Sequence, residues 1–389
     1  MTRSFEIHRR LLLGGALGGF SLAFAGRAAA QDPGGGAGRK KLVVIIARGA
    51  MDGLSVVVPH GDANYVPLRG SLAVTGALDL GGGFGLHPAL GGLHALHQAG
   101  QMRFAPAAAI PVRVRSHFDA QDVLENGGEG LRRQDDGWLN RALAAAGGRR
   151  GLAIGAQTPL ILRGAAETSS WSPGGTVTGQ DRIAALLQDM YVEDPLLGSS
   201  LARGLETEAM AMTAGDGTPV RRNDVTGQGR AVARLMTGAE GADVVALSVD
   251  GWDTHARQNA QLQTRLAALD QFVGGLREGL GAQWADTVAV IATEFGRTAR
   301  ANGTQGTDHG TASSLLLAGG ALKAGGPIGD WPTLAENRLF EGRDLAPTLD
   351  VRSVFKGVLR DHLGVDRAAL DARVFPGSAA EAPTVDGLV

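Results

Sequence analysis

Carboxylate and imidazole side chains stand beside four apolar runs of this 389-residue chain. The chain has nine histidines, and two of them lie within two residues of an aspartate next to such a run. Oxygen and nitrogen donors of this kind suit Zn²⁺, Mn²⁺, Mg²⁺ or Ca²⁺, and such an ion can polarise a phosphoryl or sulfuryl oxygen. We therefore predict one or two divalent metal ions and ester hydrolysis. The predicted ligands are Asp52, Asp253, His255, Glu294, Asp308 and His309.

Each of these residues also has a structural interpretation. Asp52 precedes Gly53 and suits a turn, while Asp253 and Asp308 suit the cap of a helix or turn. A single loop histidine is more often hydrogen-bonded than bound to a metal. Because four loops would each need a separate structural explanation, we favour convergence of these residues on one site.

Four runs of aliphatic residues would position these groups. They show no alternation of apolar and polar residues, which is typical of strands buried on both faces of a parallel sheet. The runs are residues 42–47, 244–249, 287–293 and 313–319. A long amphipathic helix follows the second run, so strand, helix and strand form a βαβ unit. The predicted fold class is α/β, with a mostly parallel sheet, helices on both faces and ligands beyond the carboxyl ends of the strands.

A serine in another part of the chain is a candidate nucleophile. Ser116 follows Arg115 and precedes His117, and its hydroxyl would attack an ester after activation by the metal. Arg115 or Arg297 would then hold the anionic substrate. Ser116 is equally suited to be the N-cap of a helix, with Asp119 as the acid of a capping box. The sequence leaves both roles open.

The composition excludes several classes of protein. A net charge of -2, from 37 basic and 39 acidic residues, provides no long-range field for nucleic acid or an anionic membrane. The chain has no cysteine, which excludes disulfides, thiolate catalysis and thiolate metal sites. The hydrophobic content of 44% is sufficient for a globular core. We therefore expect a small-molecule partner and no nucleic acid.

The N-terminus has the pattern of an export signal. Arg9 and Arg10 precede an apolar, glycine-rich run over residues 11–25, and small residues follow at 28–30. The run is shorter than the roughly 20 residues that span a bilayer. We predict a twin-arginine signal peptide over residues 1–30, recognised by the twin-arginine export machinery, with no stable membrane span after cleavage. An uncleaved membrane anchor is the alternative.

The remainder of the chain is predicted to contain one domain. A flexible leader would occupy residues 31–40, the domain residues 41–375 and a C-terminal tail residues 376–389. Residues 127–229 are loop-rich and weakly periodic, so we expect insertions over the sheet there. The mature protein would reside in the periplasm or outside the cell.

Five motifs in fixed order resemble those of a bacterial family of domains of unknown function. They are ARGAMDGL at 47–54, RSHFDAQD at 115–122, GWDTH at 251–255, TEFGRT at 293–298 and TDHG at 307–310. Members of that family commonly begin with twin-arginine signals, and the family is grouped with the alkaline phosphatase/sulfatase fold. The resemblance covers about residues 41–363.

The resemblance implies an alkaline-phosphatase-like fold. By position, the residues implied as metal ligands and nucleophile are Asp52, Ser116, Asp253, His255 and His309. Glu294 would match the aspartate of the superfamily's Asp-His-Gly signature, but Phe295 stands where that signature has histidine. Asp308 or His117 would compensate, or only one ion would bind. The residues after Ser116 lack the sulfatase maturation motif, which disfavours a formylglycine sulfatase.

These observations together predict an exported metal-dependent hydrolase of phosphate or sulfate esters. Its substrate would be a small anionic ester, attacked by a metal-activated hydroxyl or water. Phe295 in a ligand position instead favours a non-catalytic binding or assembly protein on the same scaffold. A phosphomutase-like transferase is a third possibility, although its phosphorylated substrate is hard to reconcile with export.

Overall fold

The computed structural model contains an eight-stranded sheet and a smaller three-stranded sheet. It describes residues 38–131, 134–155, 157–172, 198, 201–202, 207, 220–221, 223–238 and 240–389. The predicted signal peptide over residues 1–30 lies outside these ranges, as do most of the predicted leader and a large part of the predicted insertions. Among the described residues, we find no helix of the length and apolarity needed to cross a bilayer.

The large sheet has the strand order β11-β5-β10-β9-β1-β8-β6-β7, and the small sheet has the order β2-β4-β3. The strands are β1 Lys41–Arg48, β2 Val57–Val58, β3 Leu78–Gly81, β4 Phe84–Leu86, β5 Met102–Ala109, β6 Gly151–Ile154, β7 Thr168–Trp171, β8 Val244–Asp250, β9 Thr287–Ala292, β10 Ser313–Ala318 and β11 Leu349–Asp350. In the large sheet, β10 is antiparallel to both of its neighbours, and the remaining pairs are parallel.

Helices pack on both faces of the large sheet. They are α1 Gly53–Val56, α2 Tyr65–Arg69, α3 Gly91–Gln98, α4 His117–Asn126, α5 Trp138–Ala146, α6 Val225–Thr237, α7 Gln258–Leu280, α8 Val351–Leu363 and α9 Arg367–Ala369. One core contains residues of α4, α5 and α8, and the second contains residues of α3, α6 and α7. The predicted α/β class, with a mostly parallel sheet between two helical layers, is confirmed.

Strand β1 shows why an unbroken apolar run was needed. Leu42, Val44 and Ile46 contribute to one core, whereas Val43 and Ile45 contribute to the other. Each of these side chains is at most 1% exposed. Burial of one aliphatic side chain of this size stabilises a fold by about 1.5–3 kcal/mol, so both faces of the strand need apolar residues.

One edge of the large sheet collects the loops that carry the predicted site. The loops after β1, β5, β8 and β9 leave the sheet at its carboxyl edge, because these strands run in the same direction. Strand β10 runs the opposite way, so the loop that precedes it reaches the same edge. The five loops therefore meet although they are far apart in sequence.

His362 on α8 should make the stability of the fold depend on pH. It is 3% exposed, its Nε2 donates to the Lys41 carbonyl at 2.8 Å, and its Nδ1 has no partner. Burial lowers the pKa of His362 from 6.5 to about 4. The unfolded chain therefore takes up a proton at a higher pH than the folded chain does.

The contribution of His362 to the free energy of unfolding is fully present above pH 6.5 and is lost as the pH falls towards 4. The loss should be about 3 kcal/mol, from 1.36 kcal/mol per pKa unit. In the His362→Gln variant, the amide can still donate to the Lys41 carbonyl but does not titrate. Urea unfolding between pH 7 and pH 4.5 should show a shallower loss of stability in the variant, and equal slopes would contradict the prediction.

Candidate metal centre

Three histidines and one aspartate face one another at the carboxyl edge of the sheet. The Nε2 atom of His309 lies 3.1 Å from Nε2 of His117 and 3.1 Å from Nε2 of His255. Asp253 Oδ1 lies 3.0 Å from His255 Nε2 and 3.2 Å from His309 Nε2, and Asp253 Oδ2 lies 3.5 Å from His117 Nε2. Ligand atoms of His117, Asp253 and His309 all lie within 4.8 Å of one another. We call these four residues the histidine cluster.

The second nitrogen of each ring is held by an oxygen acceptor. The acceptors are Glu294 Oε1 for His117 at 2.7 Å, Asp308 Oδ1 for His255 at 3.2 Å and the Arg115 carbonyl for His309 at 2.8 Å. Each Nδ1 therefore carries a proton, and in its neutral form each ring presents the lone pair of Nε2 to the cluster. Metal-bound histidines usually have this arrangement, with the outer N–H donated to a carboxylate or carbonyl.

The spacing of the donor atoms fits a small cation. Three imidazole lone pairs and a carboxylate repel one another unless positive charge lies between them. Tetrahedral ligands at about 2.0–2.1 Å from Zn²⁺ are separated from one another by about 3.3 Å. The spacings among His117, Asp253 and His309, at 3.1, 3.2 and 3.5 Å, are close to that value.

Charged neighbours adjust the protonation of the cluster. The hydrogen bond and charge of Glu294 raise the pKa of His117. Burial opposes ionisation of Asp253, but the Arg297 guanidinium and the neighbouring imidazoles lower the pKa of its carboxyl. Burial lowers the pKa of His309. At neutral pH the cluster therefore combines an ionised carboxylate with at least one neutral imidazole.

The close packing of two loops requires a glycine at position 49. Gly49 has φ +113°, and a Cβ placed there would lie 2.6 Å from the Asp253 backbone nitrogen. A larger residue would force the loop after β1 away from the loop after β8. The Gly49 N–H also donates to Glu294 Oε1 at 2.8 Å. This position therefore connects three of the loops that build the site.

Phe295 supports the imidazoles from behind. Its ring stacks on His117 with centroids 4.9 Å apart and lies 5.2 Å from the ring of His309. It is 3% exposed and belongs to the core. Phe295 thus provides apolar packing, and His117 at the start of α4 provides an imidazole to the cluster.

The structure brings Asp253, His255 and His309 together and places two of the other three predicted ligands, Asp308 and Glu294, around the histidine cluster. Asp308 is exposed and holds His255 from outside the cluster. Glu294 is fully buried behind His117.

Asp52 is bonded to residues outside the histidine cluster. Its Oδ2 accepts hydrogen bonds from Ser55 Oγ at 2.7 Å, from Gln258 Nε2 at 2.5 Å and from Arg69. Arg69 is itself completely buried. Oδ2 of Asp52 is therefore committed to a buried ion pair, whereas its buried Oδ1 has no hydrogen-bond partner among the described residues.

The three residues predicted to act on the substrate also have structural partners. Arg115 is paired with Glu341 at 2.7 Å and with Asp344 at 2.8 Å. Arg297 is fully buried at its side chain and donates from Nη1 to Asp253 Oδ1 at 2.6 Å.

Ser116 is exposed at the entrance to α4. Its Oγ accepts the Asp119 N–H at 3.5 Å as the N-cap of that helix. The capping role is thus seen in the structure, and the nucleophilic role of Ser116 stays a prediction.

Several residues of the site were not singled out as ligands or supports by sequence reasoning. His117 was only an alternative to Phe295, although its place directly after a capping serine was a usable signal. Arg69, Gln121 and Gln258 carry no local signal of their function, because their partners come from distant loops.

The model of a family of proteins of unknown function matches residues 83–374, which is most of the chain. The chain belongs to the DUF1501 family. The predicted membership of a family of unknown function is thereby confirmed. No curated protein matches this DUF1501 chain.

Solved structures similar to this DUF1501 chain include a zinc-bound periplasmic domain, a hydrolase and a sulfatase. The C-terminal periplasmic domain of EcEptC from Escherichia coli, in complex with Zn, is 9% identical, with 87% of each chain covered and a TM-score of 0.43. The phosphonate monoester hydrolase of Agrobacterium radiobacter is 11% identical, with 84% of this chain and 74% of that chain covered and a TM-score of 0.42. BT1596, a 2-O GAG sulfatase, is 10% identical, with 90% and 73% covered and a TM-score of 0.39.

Proposed function

We propose that this chain is an exported metal-dependent hydrolase of phosphate or sulfate esters. The observation that carries the proposal is the histidine cluster, in which three imidazole lone pairs face one carboxylate. His117, Asp253 and His309 would hold one divalent ion, and His255, next to Asp253 and His309, is the fourth candidate ligand. Imidazole donors favour Zn²⁺ over Ca²⁺, Mg²⁺ and Mn²⁺, which prefer oxygen ligands.

The residues around the cluster would each have a separate role in hydrolysis. A bound divalent ion polarises an ester oxygen and makes a neighbouring hydroxyl or water more acidic. Ser116 is the proposed nucleophile, because it is exposed and directly precedes His117. The backbone N–H groups at the start of the ten-residue helix α4 would attract the anionic ester. Arg297 would orient Asp253, since its guanidinium is already bonded to that carboxylate.

Export is the second part of the proposal. The paired arginines, the short apolar run and the small residues before position 31 support a twin-arginine signal peptide. The mature protein would then act on a small anionic ester in the periplasm or outside the cell.

A non-catalytic binding or assembly protein is the alternative function. This alternative is favoured by the ion pairs of Arg115 and Arg297. Because both guanidinium groups are already paired with carboxylates of the protein, neither is free to bind an anionic substrate. Such a protein would bind the ion without turning over an ester.

Metal analysis and a substrate screen should separate the two functions. Protein purified without chelator should contain about one divalent ion per chain. Aryl phosphates, aryl phosphodiesters and aryl sulfates should be hydrolysed with added Zn²⁺ or Mn²⁺, and a chelator should abolish the activity. The Ser116→Ala variant should keep the ion and lose most of the turnover. Metal binding without turnover would support the alternative, and folded protein that binds no metal would contradict both functions.

A further inference from the structure

A fully buried carboxylate lies directly behind the histidine cluster. Glu294 follows β9 and is 0% exposed. The donors to its Oε1 are Gly49 N at 2.8 Å, Ala50 N at 3.2 Å, Gln121 Nε2 at 3.1 Å and His117 Nδ1 at 2.7 Å. Its Oε2 lies 3.0 Å from Thr293 Oγ1, whose single hydrogen has a nearer acceptor in the Ala47 carbonyl at 2.7 Å. Oε1 is therefore the oxygen of Glu294 that the protein fully engages.

We propose that Glu294 is a positioning residue for His117 and not a ligand of the metal ion. The inference rests on the proposed metal centre. A carboxylate oxygen has about two lone-pair directions, and four donors already compete for Oε1. Direct coordination by Oε1 would require Glu294 to give up the hydrogen bond that holds His117.

The role follows from the chemistry of a carboxylate behind an imidazole. Glu294 accepts a hydrogen bond from the Nδ1–H group of His117. The proton therefore stays on Nδ1, and the lone pair of the ring lies on Nε2, which faces the cluster. The negative charge also makes the ring a stronger donor towards a cation. Apart from His117, the donors to this carboxylate are neutral backbone, amide and hydroxyl groups. Among the described residues, no lysine or arginine is hydrogen-bonded to Glu294, so its negative charge acts mainly on the imidazole of His117.

Two consecutive residues thus fix one imidazole in two directions. Glu294 holds His117 in the plane of the ring by a hydrogen bond of 2.7 Å, and Phe295 holds its face by stacking at an angle of 26°. His117 belongs to α4, whereas both supporting residues belong to the loop after β9. The segment after β9 would therefore serve the metal centre by orienting a ligand that another loop supplies.

Zinc titration of matched variants tests this inference. Glu294→Gln keeps the shape of the side chain and removes its charge, and it should weaken Zn²⁺ binding by about 10–100-fold, the usual effect of losing an outer partner. Gln121→Ala removes a different donor from the same oxygen without touching His117, so it should have a much smaller effect. In a His117→Ala background, Glu294→Gln should cause no further loss, because its effect passes through that ring.

X-ray absorption distinguishes a positioning residue from a ligand. The shell of nitrogen and oxygen atoms around bound Zn²⁺ should be the same in wild type and Glu294→Gln. Loss of an oxygen from that shell, unchanged zinc affinity, or an undiminished effect in the His117→Ala background would overturn the inference. Wild-type protein without zinc affinity would instead refute the metal centre itself. If Glu294→Gln fails to fold, Glu294→Asp keeps the charge, shortens the reach to His117 and should also weaken zinc binding.

Discussion

Replacement of Asp253 by asparagine should weaken the binding of Zn²⁺ or Mn²⁺ by at least about 100-fold, more than the loss of any outer partner. Asp253 is the carboxylate that approaches all three Nε2 atoms of the cluster, at 3.0–3.5 Å. Asparagine keeps an oxygen that can accept from Arg297, so the buried guanidinium retains its partner. The substitution therefore removes the charge of the ligand with little change in packing.

Thermal unfolding with and without metal measures this effect. At a metal concentration 100 times the wild-type dissociation constant, the ion should stabilise the wild type by about 2.7 kcal/mol. The same concentration should leave Asp253→Asn nearly unchanged. Asp308→Asn is the matched outer-partner control, since Asp308 holds the outer nitrogen of His255 and also accepts from Asn302, and it should keep more of the stabilisation than Asp253→Asn does. Equal stabilisation of wild type and Asp253→Asn would contradict the assignment of Asp253 as a ligand.

The strand ends of this fold could be predicted from the sequence because buried strands leave an unmistakable pattern. The run at 42–47 has no polar residue, and in the structure alternate residues of that run enter two different cores. Acidic residues directly after such a run must lie at the carboxyl edge of the sheet. For this reason Asp253, with the nearby His255, could be placed at the edge without coordinates.

The direction of a side chain at that edge could not be predicted in the same way. Asp52 and Asp253 both follow buried strands, but the first turns inwards to Arg69 and the second faces the histidines. The difference depends on partners that come from other loops. Arg69 lies 17 residues after Asp52 with no periodic pattern that connects them. Sequence spacing therefore identified the loops but not which of their carboxylates would face the cluster.

His117 and Phe295 show a second limit of sequence reasoning. A missing histidine at position 295 indicated a damaged site when that loop was considered alone. The structure supplies an imidazole from α4 and stacks it on the phenylalanine. Residues in separate segments can complete one site only through a contact in the folded chain, and a single sequence contains no record of that contact.

Replacement of Arg69 by methionine should destabilise the fold by about 3–5 kcal/mol, the usual cost of leaving one partner of a buried ion pair uncompensated. The side chains of Arg69 and Asp52 are 0% and 1% exposed. Arg69 also donates to the carbonyls of Thr298 and Ala299 at 3.2 and 3.3 Å. The pair therefore ties the loop after β1 to the loop after β9.

Urea unfolding of metal-free protein should show this loss, and Asp52→Asn combined with Arg69→Met should recover part of it because no unpaired charge remains. The exposed pair Arg300 and Glu336 supplies the control, since Arg300→Met should change the stability by less than about 1 kcal/mol. A stability loss in Arg69→Met no larger than in that control would contradict the prediction.

The zinc affinity of folded Asp52→Asn then decides what Asp52 does. An ion-pair role predicts lower stability with zinc affinity close to that of the wild type, because the Asp52 carboxylate is held by Arg69, Ser55 and Gln258 and not by the histidine cluster. A ligand role instead predicts a loss of zinc affinity as large as that of Asp253→Asn. Measured on the same variant, stability and affinity thus separate the two roles that an aspartate at the end of a buried strand can have.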